Sequence, residues 1–283
     1  MRTPMRDSPA FPNELIVRAL TEDSAWMDRT SLGLPDCHGR VQAVIVAKED
    51  LVVAGLAAAA QTFRILGEGG VEWKSDTEDG NRVKAGGSLA GVKADTWVIL
   101  AGERTALNFL QRLCGIATLT NRYVEKIGGT GAKIVDTRKT TPGVRFLEKY
   151  AVRCGGGLNH RFGLNDGCLI KDNHIRVAGG ITRAVNAIRA SIPHLWRIEV
   201  EVESLNQVEE CLDLGVEAVL LDNMSIPEMS KAVALIDGRM LVEASGGITL
   251  ENVSEIARTG VDLISVGALT HSAPSVDISL ELS

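Results

Sequence analysis

Aromatic residues are scarce in this 283-residue chain, in which Phe, Tyr and Trp together make up 4% of the residues while hydrophobic residues make up 45%. The core must therefore be aliphatic. Long apolar runs are also missing, because the longest, "LVVAGLAAAA" (51–60), is half the length that crosses a bilayer. The first residues, "MRTPMRDSPAFPNE", lack the apolar segment of a signal peptide. We therefore expect a cytoplasmic protein with no membrane partner.

A positive net charge and closely spaced cysteines are absent too. The formal net charge is −6, whereas proteins that bind nucleic acids usually carry a basic face, so we expect no nucleic-acid partner. The five cysteines are an odd number, and none forms the Cys-x-x-Cys pair that is typical of thiolate metal sites. We interpret them as unpaired thiols of a reducing compartment.

Short aliphatic runs recur through the second half of the chain. Six of them predict buried strands: 132–137, 167–171, 197–203, 218–223, 240–247 and 263–268. The intervening periodicity predicts helices over 204–215, 225–236 and 249–260. Two of these helices begin with capping-box pairs, Ser204 with Gln207 and Ser225 with Glu228. Strands that alternate with helices in this way indicate a parallel sheet.

Polar or glycine residues follow nearly all of the predicted strands. Active sites of α/β barrels collect at the C-terminal ends of the strands, whereas open sheets bind ligands mostly near one switch point. Polar groups at all six ends therefore favour a barrel. Because six strands fall short of eight, we expect the barrel to be incomplete.

The first hundred residues have a different pattern. Segments 41–50 and 95–103 are interpreted as strands, and 55–66 as a helix. This mixture indicates a separate α+β domain. A long helix, predicted from about Arg104 to Lys126, joins it to the barrel.

Cations gather at two strand ends. Arg138 and Lys139 follow the first predicted strand and precede a helix-start sequence, where backbone N–H groups attract anions. Lys171 ends the second strand, after a glycine-rich loop that holds His160 and Arg161. We predict an anion site here. Three roles are open for Lys171. It could bind a carboxylate or phosphate, it could act as a Schiff-base nucleophile, or it could form a structural salt bridge with Asp172, the next residue.

Carboxylates alternate along one strand. Glu199, Glu201 and Glu203 share one face of "IEVEVE", and buried carboxylates need cations or a metal. Glu201 and Asp222, at the ends of consecutive strands, suit Mg²⁺.

Glycine loops end the last two strands. "ASGGI" (244–248) and "SVGALTHSAP" (265–274) occupy the place where α/β barrels commonly bind phosphate through backbone N–H groups. With the cations and the acidic pair, they indicate a phosphorylated sugar, Mg²⁺ and a second, multiply anionic substrate.

The segments that carry these sites resemble a known enzyme family. They are "GERTALNFLQRLCGIAT", "DTRKTTPGVRFLEKYAVRCGGGLNHRFGLNDGCLIKDNH", "EVEVES", "LLDNM", "EASGGI" and "VGALTHSAPSVDISL". They are similar to quinolinate phosphoribosyltransferases, the decarboxylating nicotinate-nucleotide pyrophosphorylases. The resemblance implies an α/β fold: an N-terminal α/β sandwich domain (1–112) and an incomplete, six- to seven-stranded α/β barrel (113–271), with a tail (272–283) that could return to the first domain.

The resemblance also implies an activity and an assembly. The family transfers phosphoribosyl from phosphoribosyl pyrophosphate (PRPP) to quinolinate with loss of carbon dioxide, which gives nicotinate mononucleotide and pyrophosphate in NAD biosynthesis. It implies Mg²⁺ as the cofactor, held by Glu201 and Asp222. It further implies a homodimer, in some members built into hexamers, with Arg104 reaching into the neighbouring subunit's active site.

The resemblance implies a role for each site residue. The carboxylates of quinolinate would be held by Arg138, Arg161 and Lys171, with Lys139 and His160 nearby. Residues with a catalytic role would be Lys139, Lys171, Glu201 and Asp222. The 5-phosphate would lie against Ser245, Gly246, Gly247 and Gly267, with His271 close by.

Three other interpretations compete with this one. A class I aldolase-like barrel would use Lys171 as the Schiff-base nucleophile. A nicotinate phosphoribosyltransferase would need fewer cations, because its substrate has one carboxylate. A non-catalytic phosphosugar sensor would bind PRPP without turnover.

Overall fold

The computed structural model describes residues 13–282 except Asp36 and His38. Residues 1–12, which include most of the segment considered above for a signal peptide, lie outside the described residues. The described chain folds as two compact units. The first comprises the described residues of Met1–Leu119, Thr141–Gly156 and Ala273–Ser283, and the second comprises Thr120–Thr140 and Gly157–Ser272. None of the described helices combines the length and the apolar character needed to span a membrane.

The first unit is built on a four-stranded antiparallel sheet. Its strands are β1 (Arg40–Ala47), β3 (Glu72–Ser75), β5 (Ser88–Asp95) and β12 (Ile278–Leu282), in the order β12-β1-β5-β3. Strands β2 (Leu51–Val52) and β4 (Arg82–Val83) form a separate pair. Alternation along β1 buries Ala43, Ile45 and Ala47 in the core. Because β12 pairs with β1, the C-terminal tail belongs to this unit.

Helices complete the first unit. They are α1 (Asn13–Glu22), a 3₁₀ helix (Ala25–Met27), α2 (Arg29–Leu32), α3 (Leu56–Leu66), the first part of α4 (Thr96–Lys126) and α5 (Arg145–Cys154). The fully buried residues between these helices and the sheet are aliphatic or small apart from Phe63, which stacks on Trp73 with ring centroids 6.2 Å apart. The aliphatic core predicted from the low aromatic content is therefore confirmed in this unit.

The predicted strand over 95–103 is wrong, because these residues begin α4. Strand β5 ends at Asp95, and the helix begins at Thr96 rather than near Arg104. Val98, Ile99 and Ala101 are all buried, so this part of the helix is apolar on several faces. A short run that is apolar all round has no helical period, and it cannot be told from a buried strand by pattern alone.

The second unit contains the six predicted parallel strands. They are β6 (Lys133–Val135), β7 (Cys168–Ile170), β8 (Ile198–Val202), β9 (Ala218–Asp222), β10 (Leu241–Ser245) and β11 (Leu263–Ser265), in the order β6-β11-β10-β9-β8-β7. The helices are α6 (Asp172–Ala178), α7 (Ile181–Ser191), α8 (Leu205–Leu214), α9 (Ile226–Ile236), α10 (Val253–Ala257) and α11 (Ala268–His271). Each strand falls inside a predicted run, which confirms this part of the prediction.

The parallel sheet is rolled into an incomplete barrel. Leu158 bridges to Val135 on the outer side of β6. Two residues later, His160 Nε2 lies 3.1 Å from Glu199 Oε2 on β8, which is next to the opposite end of the strand order. A side chain from one edge reaches the far edge only if the sheet curves round an interior. Because β6 and β7 remain the two ends of the order, the predicted α/β fold with an incomplete barrel is confirmed.

The two predicted capping boxes have different outcomes. At α9, Ser225 and Glu228 form the box, with Glu228 Oε2 accepting from the Ser225 backbone N–H at 3.0 Å. At α8, the Ser204 side chain makes no capping hydrogen bond. Gln207 Oε1 instead accepts the backbone N–H of Glu203 at 2.7 Å, since that donor has just left the ladder of β8.

Candidate active site

The predicted site residues of the second unit come from the C-terminal ends of its strands. From β6 to β7 along the strand order they are Arg138 and Lys139, Gly267, Ser245 to Gly247, Asp222, Glu201 and Lys171. Because the strands are parallel, these ends lie at one mouth of the barrel. The topology therefore brings together residues that are more than a hundred positions apart in the sequence.

Lys171 pairs with an acid, but not with the adjacent Asp172. Its Nζ lies 3.0 Å from Glu201 Oε2. The Lys171 backbone N–H donates to Nδ1 of His174 at 2.9 Å, so that histidine has a structural role. The Lys171 side chain is 46% exposed, so it lacks the desolvated environment that activates a Schiff-base lysine.

Arg138 and Arg161 lie near enough to one another for their positive charges to interact. The Nε atoms of both are buried and have no hydrogen-bond partner among the described residues. Burial lowers the pKa of the Arg161 guanidinium, and the nearby charge of Arg138 lowers it further. Two arginines with buried, unused donors are arranged for an anion that is not part of the chain.

Lys139 lies against the glycine loop that follows β11. A Cβ atom on Gly267 would lie 3.1 Å from both Lys139 Cδ and His271 Nε2. Thr270 Oγ1 donates to the Lys139 carbonyl oxygen at 2.8 Å, which fixes the lysine backbone. The absence of a side chain at Gly267 therefore leaves a gap beside the Lys139 side chain and the His271 imidazole.

The loop after β10 needs glycine for two reasons. Gly246 and Gly247 have φ values of 90° and 60°, in the left-handed region that disfavours other residues. A Cβ atom on Gly246 would also lie 2.1 Å from Oδ1 of Asn223. The Asn223 backbone N–H donates to the Ser245 carbonyl at 3.0 Å, and its Nδ2 donates to Asp222 Oδ2 at 2.8 Å. The asparagine therefore joins the acidic strand end to the glycine loop.

The alternation of acids on β8 is confirmed for two of the three residues. Glu199 and Glu201 are partly buried between buried valines and isoleucine, which places them on one face. Glu203 lies beyond the end of the strand and is exposed. The interior therefore receives two carboxylates from β8.

A buried acidic group in the barrel was missed from the sequence. It consists of Asp136, Glu199 and Glu243 around His160, and Glu243 Oε2 lies 3.9 Å from His160 Nε2. Glu243 is 2% exposed. Burial raises its pKa to about 8, and the charge of Glu199 acts in the same direction. The available signal was a single glutamate at a core position of the aliphatic run "MLVEAS".

Arg104 lies in the first unit, on α4. It lines a cavity of about 400 Å³ together with residues of α1 and α5. Arg112, eight residues further along α4, also lines the cavity and donates from Nε and Nη2 to Oε1 of the buried Glu148 at 3.1 and 2.8 Å. The sequence analysis did not predict this ion pair, which holds two of the side chains that line the cavity in place.

The fold is that of an α/β-barrel protein whose polar and cationic residues gather at the mouth where such barrels have their active sites. The family model for the N-terminal domain of quinolinate phosphoribosyl transferase matches residues 28–114, and the model for its C-terminal domain matches residues 116–281. The chain belongs to the quinolinate phosphoribosyltransferase family of enzymes.

Individual relatives agree with the family models. A probable nicotinate-nucleotide pyrophosphorylase [carboxylating] of Synechocystis is 44% identical over 93% of this chain and 90% of the relative. A protein of the same name from Bacillus subtilis is 43% identical over 95% and 93%. The crystal structure of NadC from Streptococcus pyogenes superimposes with a TM-score of 0.93 at 40% identity, covering 98% of both chains.

Proposed function

We propose that this protein transfers the phosphoribosyl group of PRPP to quinolinate. Carbon dioxide and pyrophosphate are released, and nicotinate mononucleotide is formed for NAD biosynthesis. The names of the relatives describe this reaction in the opposite direction, as a carboxylating pyrophosphorolysis of the nucleotide.

The choice of acceptor is supported mainly by one observation. Arg138 and Arg161 are neighbouring cations, and each has a buried Nε with no hydrogen-bond partner among the described residues. Two close cations repel each other, and a single carboxylate leaves one of them poorly neutralised. A dicarboxylate such as quinolinate neutralises both guanidinium groups, with Lys171 as a third cation at the rim.

The second substrate lies across the glycine loops. Backbone N–H groups of Gly246, Gly247 and Gly267 bind the 5-phosphate of PRPP, with Ser245, Lys139 and His271 beside it. Lys139 belongs to the same loop as Arg138 and therefore links the phosphate end of the site to the acceptor end.

Glu201 and Asp222 fit a magnesium ion by their chemistry. Both supply hard carboxylate oxygens from the ends of adjacent strands, and Mg²⁺ is commonly held by one or two carboxylates plus substrate phosphate oxygens. The ion, when bound, neutralises charge on the departing pyrophosphate. The same carboxylates face the positive charge that develops on the ribosyl ring.

The side chains act by orientation and charge. Arg138, Arg161 and Lys171 hold quinolinate so that its ring nitrogen points at C1 of the ribosyl group. The nitrogen carries no proton, so no general base is required. Once the nitrogen is bonded to ribose, its positive charge stabilises an electron pair on the adjacent ring carbon. The bond from that carbon to its carboxylate breaks, carbon dioxide leaves, and the electron pair left on the carbon takes up a proton from solvent.

The active site is shared between two copies of the chain. Arg104 lies in the first unit, and we propose that it completes the quinolinate site of the other subunit in a cytoplasmic homodimer. Hexamers would form from such dimers. An exposed Phe162 and Leu164, 42% and 70% exposed in the loop that holds His160 and Arg161, support a partner surface next to the site.

A direct assay tests the proposal. Protein is mixed with Mg²⁺, PRPP and quinolinate, and release of carbon dioxide and formation of the mononucleotide are followed, with nicotinate in a parallel reaction. We expect product from quinolinate alone. Product from nicotinate would favour the mono-acid transferase, and PRPP binding without any product would favour a sensor.

A further inference from the structure

Lys139 lies in a segment without regular secondary structure. Residues 136–141 follow β6 and belong to neither a helix nor a strand, so no ladder of backbone hydrogen bonds fixes them. The Lys139 backbone is nevertheless held on both sides by hydroxyl groups. Its N–H donates to Thr137 Oγ1 at 3.0 Å, and its carbonyl oxygen accepts from Thr270 Oγ1 at 2.8 Å. Two threonine side chains therefore fix the backbone of this lysine.

Thr270 does not use the acceptor that a helical threonine ordinarily uses. The hydroxyl of such a residue usually donates to the carbonyl three or four residues earlier in its own helix. Thr62 on α3, which is also fully buried, donates in this way to the Ala58 carbonyl at 3.0 Å. The corresponding carbonyl for Thr270, that of Gly267, lies at 3.3 Å, whereas the Lys139 carbonyl, 131 positions away in the sequence, lies nearer. A hydroxyl group has one proton, so it is shared with Lys139 in preference to the helix.

Thr270 belongs to the segment that follows the last glycine loop. The residue is fully buried on α11, so it does not contact a ligand itself. Its backbone N–H donates to the Gly267 carbonyl at 3.1 Å. The Lys139 side chain lies against the same glycine, because a Cβ atom there would be 3.1 Å from Lys139 Cδ. The backbone and the side chain of Lys139 are therefore both placed by the residues between Gly267 and Thr270.

We propose that Thr270 is a positioning residue for Lys139, whose backbone it holds beside the glycine loop so that the lysine side chain is placed for the phosphate of the sugar substrate. The inference rests on the proposed function, in which Lys139 and Gly267 share the 5-phosphate of PRPP. A lysine gives up rotamer freedom when it binds a phosphate. A fixed backbone and a packed stem reduce that loss, so the hydroxyl of a residue outside the site contributes to phosphate affinity.

A double-mutant cycle on ribose 5-phosphate affinity tests the proposal, because this ligand carries the phosphate without the pyrophosphate or the acceptor. Thr270→Val keeps the size of the side chain and removes the donor. We expect it to weaken ribose 5-phosphate binding about three- to tenfold, the size of one net hydrogen bond. In a Lys139→Met background, Thr270→Val should add less than about a twofold loss. Equal losses in both backgrounds would show that Thr270 acts without Lys139 and would overturn the proposal.

Thr62→Val is the matched control. It removes a hydroxyl that is equally buried and that also donates to a backbone carbonyl, on α3 of the first unit. We expect it to lower the melting temperature, as Thr270→Val does, and to leave ribose 5-phosphate affinity unchanged. An equal loss of affinity in Thr62→Val would assign the effect to general destabilisation and overturn the proposal. If Thr270→Val does not fold, Thr270→Ser and Thr270→Ala replace it, since they differ only in the hydroxyl: serine should retain the affinity and alanine should lose it.

The assay with PRPP and quinolinate separates this inference from the proposed function. Product formation together with undiminished ribose 5-phosphate binding in Thr270→Val would overturn the role of Thr270 alone. If the protein makes no product but the cycle shows that the effect of Thr270→Val requires Lys139, the role of Thr270 holds and the proposed function does not. Wild-type protein that does not bind ribose 5-phosphate would overturn the inference, since Lys139 would then have no phosphate to be positioned for.

Discussion

Lys171 and Glu201 form an ion pair across the ends of neighbouring strands β7 and β8, with Nζ and Oε2 3.0 Å apart. In the proposed function, the lysine belongs to the quinolinate site and the glutamate to the magnesium site. The ion pair therefore couples the affinity for quinolinate to the affinity for Mg²⁺, because Lys171 and Glu201 each interact both with one another and with a ligand.

Removal of the lysine charge should change the two affinities in opposite directions. We expect Lys171→Gln to weaken quinolinate binding. We expect the same substitution to strengthen Mg²⁺ binding about two- to fivefold, because the free energy of a partly exposed ion pair with Glu201 no longer opposes the metal. Calorimetric titration of each ligand measures both effects. Lys231→Gln, at an exposed lysine on α9, serves as the control. A Mg²⁺ affinity that is unchanged or weaker would separate Lys171 from the metal site.

The arginine pair should carry most of the acceptor affinity. We expect Arg138→Ala and Arg161→Ala each to cost about 2–5 kcal/mol of quinolinate binding free energy, since each removes a charge-assisted partner from a desolvated site. Nicotinate, used as a competing ligand, should lose less, because it has one carboxylate. Equilibrium binding with both ligands measures the difference. Unchanged quinolinate affinity in both variants would remove these residues from the site.

The shared active site can be tested by complementation. Arg104→Ala and Lys139→Ala should each be inactive as separate proteins. Mixed dimers of the two should recover part of the activity, because one of the two sites then contains an intact arginine and an intact lysine. Differential tags and native mass spectrometry would establish that the mixed dimers form. Formed dimers without any recovered activity would contradict the role of Arg104 in the partner's site.

Glu243 should make stability depend on pH. Its pKa is raised from 4.5 to about 8, so the folded state binds a proton more tightly than the unfolded chain does. The resulting stabilisation is fully present below about pH 4.5 and is lost as the pH rises towards 8. Glu243→Gln has no such proton to lose. We expect its free energy of unfolding to improve relative to wild type across this range, as measured by urea denaturation.

The control for that experiment is Glu203→Gln, at the exposed glutamate beyond β8. Its difference from wild type should stay constant with pH. A constant difference for Glu243→Gln as well would mean that Glu243 is ionised in the folded state at neutral pH.

Glu148 should be essential for the stability of the first unit. Its side chain is 1% exposed and accepts from Arg112 as well as from the backbone and hydroxyl of Thr141, at 3.0 and 2.9 Å. We expect Glu148→Ala to cost about 3–5 kcal/mol, because an arginine and two further donors lose their acceptor. Thermal unfolding measures the loss. Asp50→Asn, which breaks an exposed pair with Lys84, should change stability little.

The sequence by itself determined the strands of the barrel and the residues at their ends. The parallel strands are mostly aliphatic and largely buried, so each strand's apolar run and the polar residues after it can be recognised in the sequence. The site motifs are local as well: the Arg138-Lys139 pair, the glycines after β10 and the lysine at the end of β7 each stand within a few residues of a strand. Local patterns could therefore predict which residues meet at the barrel mouth.

Only the tertiary structure decided which of these residues form pairs. Lys171 bonds to Glu201, thirty positions away, and not to Asp172 beside it. His160 meets Glu199 and Glu243 because the sheet curves round, and nothing in their spacing predicts this contact. The apolar start of α4 is a further case, because its pattern alone does not distinguish a helix from a buried strand and its packing in the core determines the helix. The hydrophobic pattern of the sequence specifies the helices and strands, whereas the partners of polar side chains depend on distances that exist only after the chain has folded.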